Sequence, residues 1–285
     1  MNIGILGQGY VGTAIREGFA PYYDSLNTYD KFLKEKSTVS SLKELVEKSK
    51  YIFVCVPTPM KNTGECDTSI VKNEIESINS ICNEIDGRIV IIKSTVPPGT
   101  TNKLNKINKN INIIFNPEFL TELNFINDFQ NQDRIILGGE KKFIDDLRQI
   151  YSRVFPNTPI IKTDSKTAEM VKYVTNTFLA TKVSYANEIK SLCNEIDTDY
   201  DKVIEYAQYD SRLGKSHWAV PGPDGNLGFG GSCFPKDINA LIYYGEQLGI
   251  SMDILKSVWS KNLSVRPQKD WEKLIGRAIS EETKD

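Results

Sequence analysis

A doubly wound parallel α/β domain followed by a mainly helical one is the architecture this sequence predicts, from three observations. A short apolar strand, NIGIL, runs straight into Gly7-Gln8-Gly9-Tyr10-Val11-Gly12 and then into a helical pattern through Ala14, Ile15 and Phe19. Further continuous apolar runs follow at regular spacing, with helix-periodic segments between them. Beyond residue 163 those runs cease and helical periodicity takes over, which places the two domains at 1–163 and 164–285.

Composition bounds the rest. A chain of 285 residues with 40% hydrophobic content can bury a sizeable core in about two domains. A net charge of −2 and a pI of about 5.7 leave no electrostatic footprint for nucleic acid. No apolar run is long enough to span a bilayer, and the N-terminus lacks the charged start and cleavage site of a signal peptide, so a soluble, cytoplasmic protein is expected. The cysteines are odd in number and include no C-x-x-C pair, which points to neither a disulfide framework nor a zinc site, and no metal is expected. Cys55, Cys82 and Cys193 lie in apolar-periodic stretches and read as core thiols, whereas Cys66 sits in a polar loop, GECDTS, with no obvious task. His217 is the only histidine, so a Ser-His-Asp triad or a histidine-rich metal site would have to be built around it.

The glycines of the first turn have separable tasks. Gly7 permits the tight turn, Gly9 lets backbone approach a pyrophosphate, and Gly12 lets helix and strand pack closely. The signature means little alone but stands here in its required context, strand before and helix after. The next strand, SLNTYD, ends at Asp30, eighteen residues past Gly12, where an acid can bond the adenosine ribose and repel a 2′-phosphate. A Rossmann-like domain taking NAD rather than NADP follows, with a simple turn residue as the other reading of Asp30. The strands YIFVCV, RIVIIK, INIIF, RIILGG and TPIIK continue the sheet, and the segments SLKELVEK, DTSIVKNEIESINSICNEI and KFIDDLRQIYSRVF cover it. Ligands bind such sheets off the carboxyl ends of the strands. Those ends carry Pro57-Thr58-Pro59, Ser94-Thr95-Val96-Pro97-Pro98-Gly99 and Asn116-Pro117-Glu118-Phe119-Leu120-Thr121-Glu122, three polar, proline-shaped loops that suggest a shared cleft.

The second half opens with Asp164-Ser165 as an N-cap and a helix running to about Ile196. Val171, Val174, Phe178, Val183, Ala186 and Ile189 form its apolar stripe. Lys172 and Asn176 are four apart and project from one side, which by itself reads as a solvated helix face. After Ser211-Arg212-Leu213-Gly214 and the loop KSHWAVPGPDGNL comes GFGGSCFPKD. There Gly228, Gly230 and Gly231 strip the backbone of side chains ahead of Cys233, suggesting a bend or close approach to a ligand. Lys236 and Asp237 add the charge and the acid-base group that an activated thiolate needs, so Cys233 is either a turn thiol or a nucleophile. The tail to Asp285 is helical and charge-laced, with Trp259 and Trp271 packing inside the chain or against a second subunit.

Taken in order, GQGYVG, CVPTP, KSTVPPGT, NPEFLTE, KYVTNTFLA, SRLG and GFGGSCFPKD resemble the UDP-glucose/GDP-mannose dehydrogenase family across nearly the whole chain. The resemblance implies a homodimeric, NAD-dependent four-electron oxidation of a nucleotide sugar at C6. UDP-glucose is the substrate it implies first, and GDP-mannose or a UDP-N-acetyl-hexosamine the alternatives. A regulatory module that binds NAD without turnover is a further one. It makes Cys233 the nucleophile, Lys172 and Asn176 the stabilisers of the oxygen at C6, and Asp237, Glu122 and Thr95 the proton-handling groups. It gives Glu118, Phe119, Leu120, Thr121, Gly230 and a partner-directed Arg212 to the sugar nucleotide. Gly7, Gly9, Tyr10, Val11, Gly12, Asp30, Val56, Pro57, Thr58, Thr95, Glu122 and Lys236 go to NAD. Two departures stand out: members usually continue into a third domain where this sequence ends, and Glu35 stands where a basic residue commonly follows Asp30, with Lys34 or Lys36 as substitutes.

Overall fold

The computed structural model describes residues 2–83 and 87–281, which fall into two compact units. The first comprises residues 1–58 and 68–172, the second 59–67 and 173–285. The division therefore runs inside a helix instead of ahead of it, and nine residues of the N-terminal half belong to the second unit.

In the first unit seven strands form one sheet in the order β2-β1-β3-β4-β5-β6-β7: β1 Ile3–Leu6, β2 Leu26–Tyr29, β3 Tyr51–Val54, β4 Ile89–Ile92, β5 Asn112–Phe115, β6 Ile135–Gly138 and β7 Ile160–Thr163. The first five strands are parallel, and β6 and β7 are parallel to each other. Contrary to a wholly parallel sheet, β6 meets β5 antiparallel through the single pair Phe115 and Gly138. Only α5, Phe125–Gln130, intervenes there, and six residues of helix rise about 9 Å, too little for a full return crossover.

Period-two alternation sends the strand residues to two cores. Ile3, Ile5, Phe53, Ile91 and Ile114 face one side, with Phe19 of α1 (Tyr10–Phe19), Phe129 of α5 and Tyr151 of α6 (Lys141–Val154). Leu6, Ile52, Val54, Val90, Ile92 and Phe115 face the other, with Leu45 of α2 (Leu42–Lys48), Ile75 of α3 (Ser69–Ile81) and Leu104 of α4 (Thr100–Ile107). The expected extension of α3 through NEI lies partly outside the described residues.

The long helix α7, Ser165–Glu195, is capped by Asp164, whose carboxylate accepts from the Thr167 N–H at 2.9 Å. The second unit adds α8 Tyr200–Ala207, α9 Phe234–Gln247 and α10 Asp253–Val265. Trp271 is buried and its ring lies 5.2 Å from Trp259, which in turn lies 6.2 Å from Phe229, so both tryptophans pack within the chain. The predicted stripe of α7 needs correction, since Val174 is 51% and Phe178 62% exposed. Cys66 needs one too: it is buried against Tyr173, Ala240 and Leu241, a core thiol of the second unit. None of the five cysteines forms a disulfide.

Candidate active site

The first turn is built as its glycines require. Gly7 has φ +88°, and a Cβ there would lie 2.7 Å from the Cys55 carbonyl oxygen. A Cβ on Gly12 would sit 1.8 Å from the Gly7 oxygen, a hard-sphere overlap that fixes glycine at the start of α1. Above Gly9, by contrast, a Cβ would meet no described atom within 4 Å. The backbone at Gly9, just ahead of α1, thus faces open space, as a bound pyrophosphate requires, while the Tyr10 ring lies 5.1 Å from Phe125 and Val11 packs partly on the core.

Asp30 closes this turn. Its carboxylate accepts from the Gln8 N–H at 2.7 Å and from the N–H groups of Phe32 and Leu33 at 2.8 Å. Burial pushes its carboxyl up, but the Leu33, Gln8 and Phe32 N–H groups and the Lys36 ammonium outweigh that and hold it below the usual range. Three donors leave a fourth lone-pair direction on the carboxylate, so a turn role and a ribose contact are compatible. Lys36, not Lys34, reaches this corner, donating to the Gln8 carbonyl at 3.3 Å. Gln8 itself is wholly buried, and its Oε1 accepts no hydrogen bond.

At the carboxyl ends of β3 and β4, Thr58 and Thr95 are buried, Val56 is half-buried and Pro57 exposed, and Ser94 donates to the Val56 carbonyl at 2.5 Å. The loop after β5 is organised round two lysines. Lys172 donates to the Glu118 carbonyl at 2.6 Å and to its carboxylate at 3.0 Å, and lies 5.4 Å from the Phe119 ring. On the ring's account, Arg134 is a second cation at 4.3 Å. Glu118 also takes the Leu120 N–H at 2.7 Å, while Thr121 donates from N–H and hydroxyl to Asp128. Burial would raise the Glu118 carboxyl, yet Lys172, the Leu120 N–H and Lys93 together hold it below its usual range. Lys93 passed unnoticed in the sequence although it ends a buried apolar run, which was the available signal. It is buried at the end of β4, donates to Asn116 Oδ1 at 2.9 Å, and burial pushes its ammonium down to about 8. Nearby, burial pushes the Cys55 thiol up to about 12, a protonated and unreactive sulfur at neutral pH. Glu122 is half-buried.

In the second unit Cys233 is the N-cap residue of α9, half-buried, with the Ser232 hydroxyl 3.9 Å from Sγ. Buried Asp237, one turn on, accepts from Lys236 at 2.5 Å and from the Asn176 amide at 2.6 Å. Burial would lower the Lys236 ammonium, but Asp237, Cys233 and Cys66 raise it well above its usual value, so it is cationic at any ordinary pH. Asn176 thereby leaves the solvated-face reading, and Lys172 does so through Glu118. Arg212 stays exposed and forks onto Asp210. Gly230 is half-buried in the approach to α9.

Two family models match this chain: the NAD binding domain of the UDP-glucose/GDP-mannose dehydrogenase family over residues 26–155, and that family's central domain over 166–264. The chain belongs to the UDP-glucose/GDP-mannose dehydrogenase family. NAD is its cofactor, and the open backbone at Gly9 with the carboxylate of Asp30 fits it. A UDP-glucose 6-dehydrogenase of Bacillus subtilis, TuaD, is 32% identical over 92% of this chain, and the chain spans 62% of that enzyme's length. Among solved structures, a UDP-glucose dehydrogenase from Pyrobaculum islandicum superposes with a TM-score of 0.83 at 31% identity, covering 96% of this chain and 70% of its own. A GDP-mannose dehydrogenase from Pseudomonas aeruginosa gives 0.68 at 28% identity, covering 96% and 71%. The family is thus one of nucleotide-sugar dehydrogenases. No helix of the described residues is long and apolar enough to cross a membrane.

Proposed function

We propose that this chain oxidises the C6 alcohol of UDP-glucose to the carboxylate in two NAD-dependent steps, with Cys233 as covalent nucleophile, working as a cytoplasmic homodimer. The observation that carries the reading is Cys233 at the N-terminal end of α9, with the raised Lys236 ammonium and the bound Asp237 carboxylate in the next turn.

NAD supplies the hydride acceptor at each oxidation. The first removes a hydride and a proton from the C6 alcohol and leaves an aldehyde. Sγ of Cys233 adds to that carbonyl to give a thiohemiacetal. Loss of a second hydride and proton gives a thioester, which water opens to carboxylate and thiol. A cysteine suits this sequence because a thioester forms and hydrolyses more readily than a serine ester. Lys172 and Asn176 stabilise the oxygen that gains charge at C6. Two of the three Lys172 donors go to Glu118, and the third is assigned to substrate. Asp237 acts as base or orients the hydrolytic water, with Glu122 and Thr95 as further proton-handling groups. Glu118 to Thr121, Gly230 and a partner-directed Arg212 are assigned to the sugar nucleotide. Gly7, Gly9, Tyr10, Val11, Gly12, Asp30, Val56 to Thr58, Thr95, Glu122 and Lys236 are assigned to NAD.

The exposed face of α7, carrying Val174, Phe178, Tyr185 and Leu192 at helical spacing, supports a second copy of the chain as partner. The test of the chemistry is NADH formed per limiting UDP-glucose. Two per sugar are expected, with the second lost in Cys233→Ala, which has no thiol to carry the aldehyde onward; one per sugar in the unaltered chain would remove the thioester route. No NADH despite NAD binding would move the reading to GDP-mannose, which the likeness to the Pseudomonas enzyme favours, or to a UDP-N-acetyl-hexosamine, and after those to a regulatory module.

A further inference from the structure

The glycines before Cys233 invite the idea that a ligand passes close to their backbone. Their nearest neighbours within the second unit are side chains of this same chain. A Cβ on Gly230 would lie 2.4 Å from Nη2 of Arg266 and 2.5 Å from Oδ2 of Asp270. One on Gly228, whose φ is +67°, would lie 2.4 Å from Oδ1 of Asn262. These three residues recur every fourth position, from α10 into the turn Asp270–Lys273.

Each holds backbone of the loop. Buried Asn262 accepts from the Phe229 N–H at 2.7 Å and donates to the Phe229 carbonyl at 2.9 Å, as a neighbouring strand would. Arg266, also buried, donates to the Leu227 carbonyl at 3.3 Å, to Asp224 at 2.6 Å and to Asp270 at 2.6 Å. Asp270 takes that bond on Oδ1 and the Gly231 N–H on Oδ2 at 3.2 Å. From α7, Asn187 accepts the Gly228 N–H at 3.1 Å. The Phe229 ring is seated against Phe234 and Trp259.

We propose that Asn262, Arg266 and Asp270 are positioning residues for the nucleophile: they fix the backbone from Leu227 to Gly231, and so the point at which the chain enters α9 and the place of the Cys233 thiol. This rests on Cys233 being the nucleophile. Ion pairs whose carboxylates keep contact with water, as those of Asp224 and Asp270 with Arg266 do, add little net stability. What the cluster supplies is direction, because Asn262, Arg266 and Asp270 each also bond a backbone group of one loop, at Phe229, Leu227 and Gly231. Gly228 and Gly230 are bare to admit the clamp.

Two experiments on the full chain test it. Asn262→Asp preserves size and the oxygen facing the Phe229 N–H but turns a second acceptor toward the Phe229 carbonyl. Its kcat should fall about tenfold or more with KM for NAD within about twofold, since misplacing a reacting atom costs rate before it costs binding. Its rate of alkylation at Cys233 by iodoacetamide, read by mass spectrometry without substrate, should change by about threefold or more. Should this variant not fold, Arg266→Lys is judged by the same criteria. The second experiment pairs Gly230→Ala with Arg266→Lys, which removes Nη2. The double variant should lose about tenfold less in kcat than the two single losses multiplied, the coupling expected of groups in contact. Additive losses would mean that Gly230 is bare for a ligand, and unchanged alkylation and kcat in the clamp variants would overturn the proposal. Wild type that alkylates normally at Cys233 but oxidises no nucleotide sugar would defeat the catalytic reading instead.

Discussion

Lys172 is buried and Glu118 nearly so, and the ion pair between them offsets much of the cost of taking each from water. Glu118 is held below its ordinary value, so it stabilises the fold above about pH 4.3, the unfolded carboxyl's pKa, and loses that contribution as pH falls through the lower folded value. Glu118→Gln should therefore lower stability at pH 7 by about 3 kcal/mol, because it strands a buried ammonium. The gap to wild type should narrow as pH drops below about 4, where wild-type Glu118 protonates as well. Urea unfolding at both pH values checks this, and a gap independent of pH would rule out the ion pair as its source. Residues like these show how far side-chain chemistry was readable. Cys233 and Asp237 stand together in one motif, but the spacing of Asn176 reads as a solvated face until its amide is found on the Asp237 carboxylate. Lys93 and Arg266 were not recognisable, since a lone charge in sequence looks solvated until the partners that bury it are brought alongside.

At the level of single elements, periodicity located α7 almost to the residue, from its Asp164 cap to Glu195. It did not say which apolar positions face the chain's own core. Hydrophobic residues have the same signature whether a helix buries them itself or offers them to another molecule, and Val174 and Phe178 turned out exposed. If a second copy covers that face, Phe178→Glu should weaken the dimer by about 2–4 kcal/mol, the range of a central aromatic anchor. Light scattering across a dilution series should show monomer at concentrations where wild type is dimeric. An unchanged mass would place the dimer contact elsewhere. The same limit applies to β6, whose strand character was plain but whose antiparallel meeting with β5 depended on the short α5 that the sequence did not announce.

For the molecule as a whole, the nucleotide-binding unit was legible because its parts recur locally: strand, glycine turn, helix, acid. NAD at about one hundred times its Kd should add about 2.7 kcal/mol to the stability of that unit, seen as a higher thermal midpoint. Asp30→Ala should lower the midpoint without NAD, since three N–H groups lose their acceptor, and should also abolish most of the rise. A rise equal to wild type would leave Asp30 as a turn residue only. What could not be read was long-range connectivity. Residues 59–67 belong with the second unit, where the Met60 N–H donates to Ala278 and the Ser280 N–H to Met60, both at 2.8 Å. Met60 and Ser280 are 220 positions apart, and a ribosome adding about 5–20 residues per second needs roughly 10 to 45 s to cover that stretch. For that time the newborn chain carries Met60 with its backbone pairing still unmade.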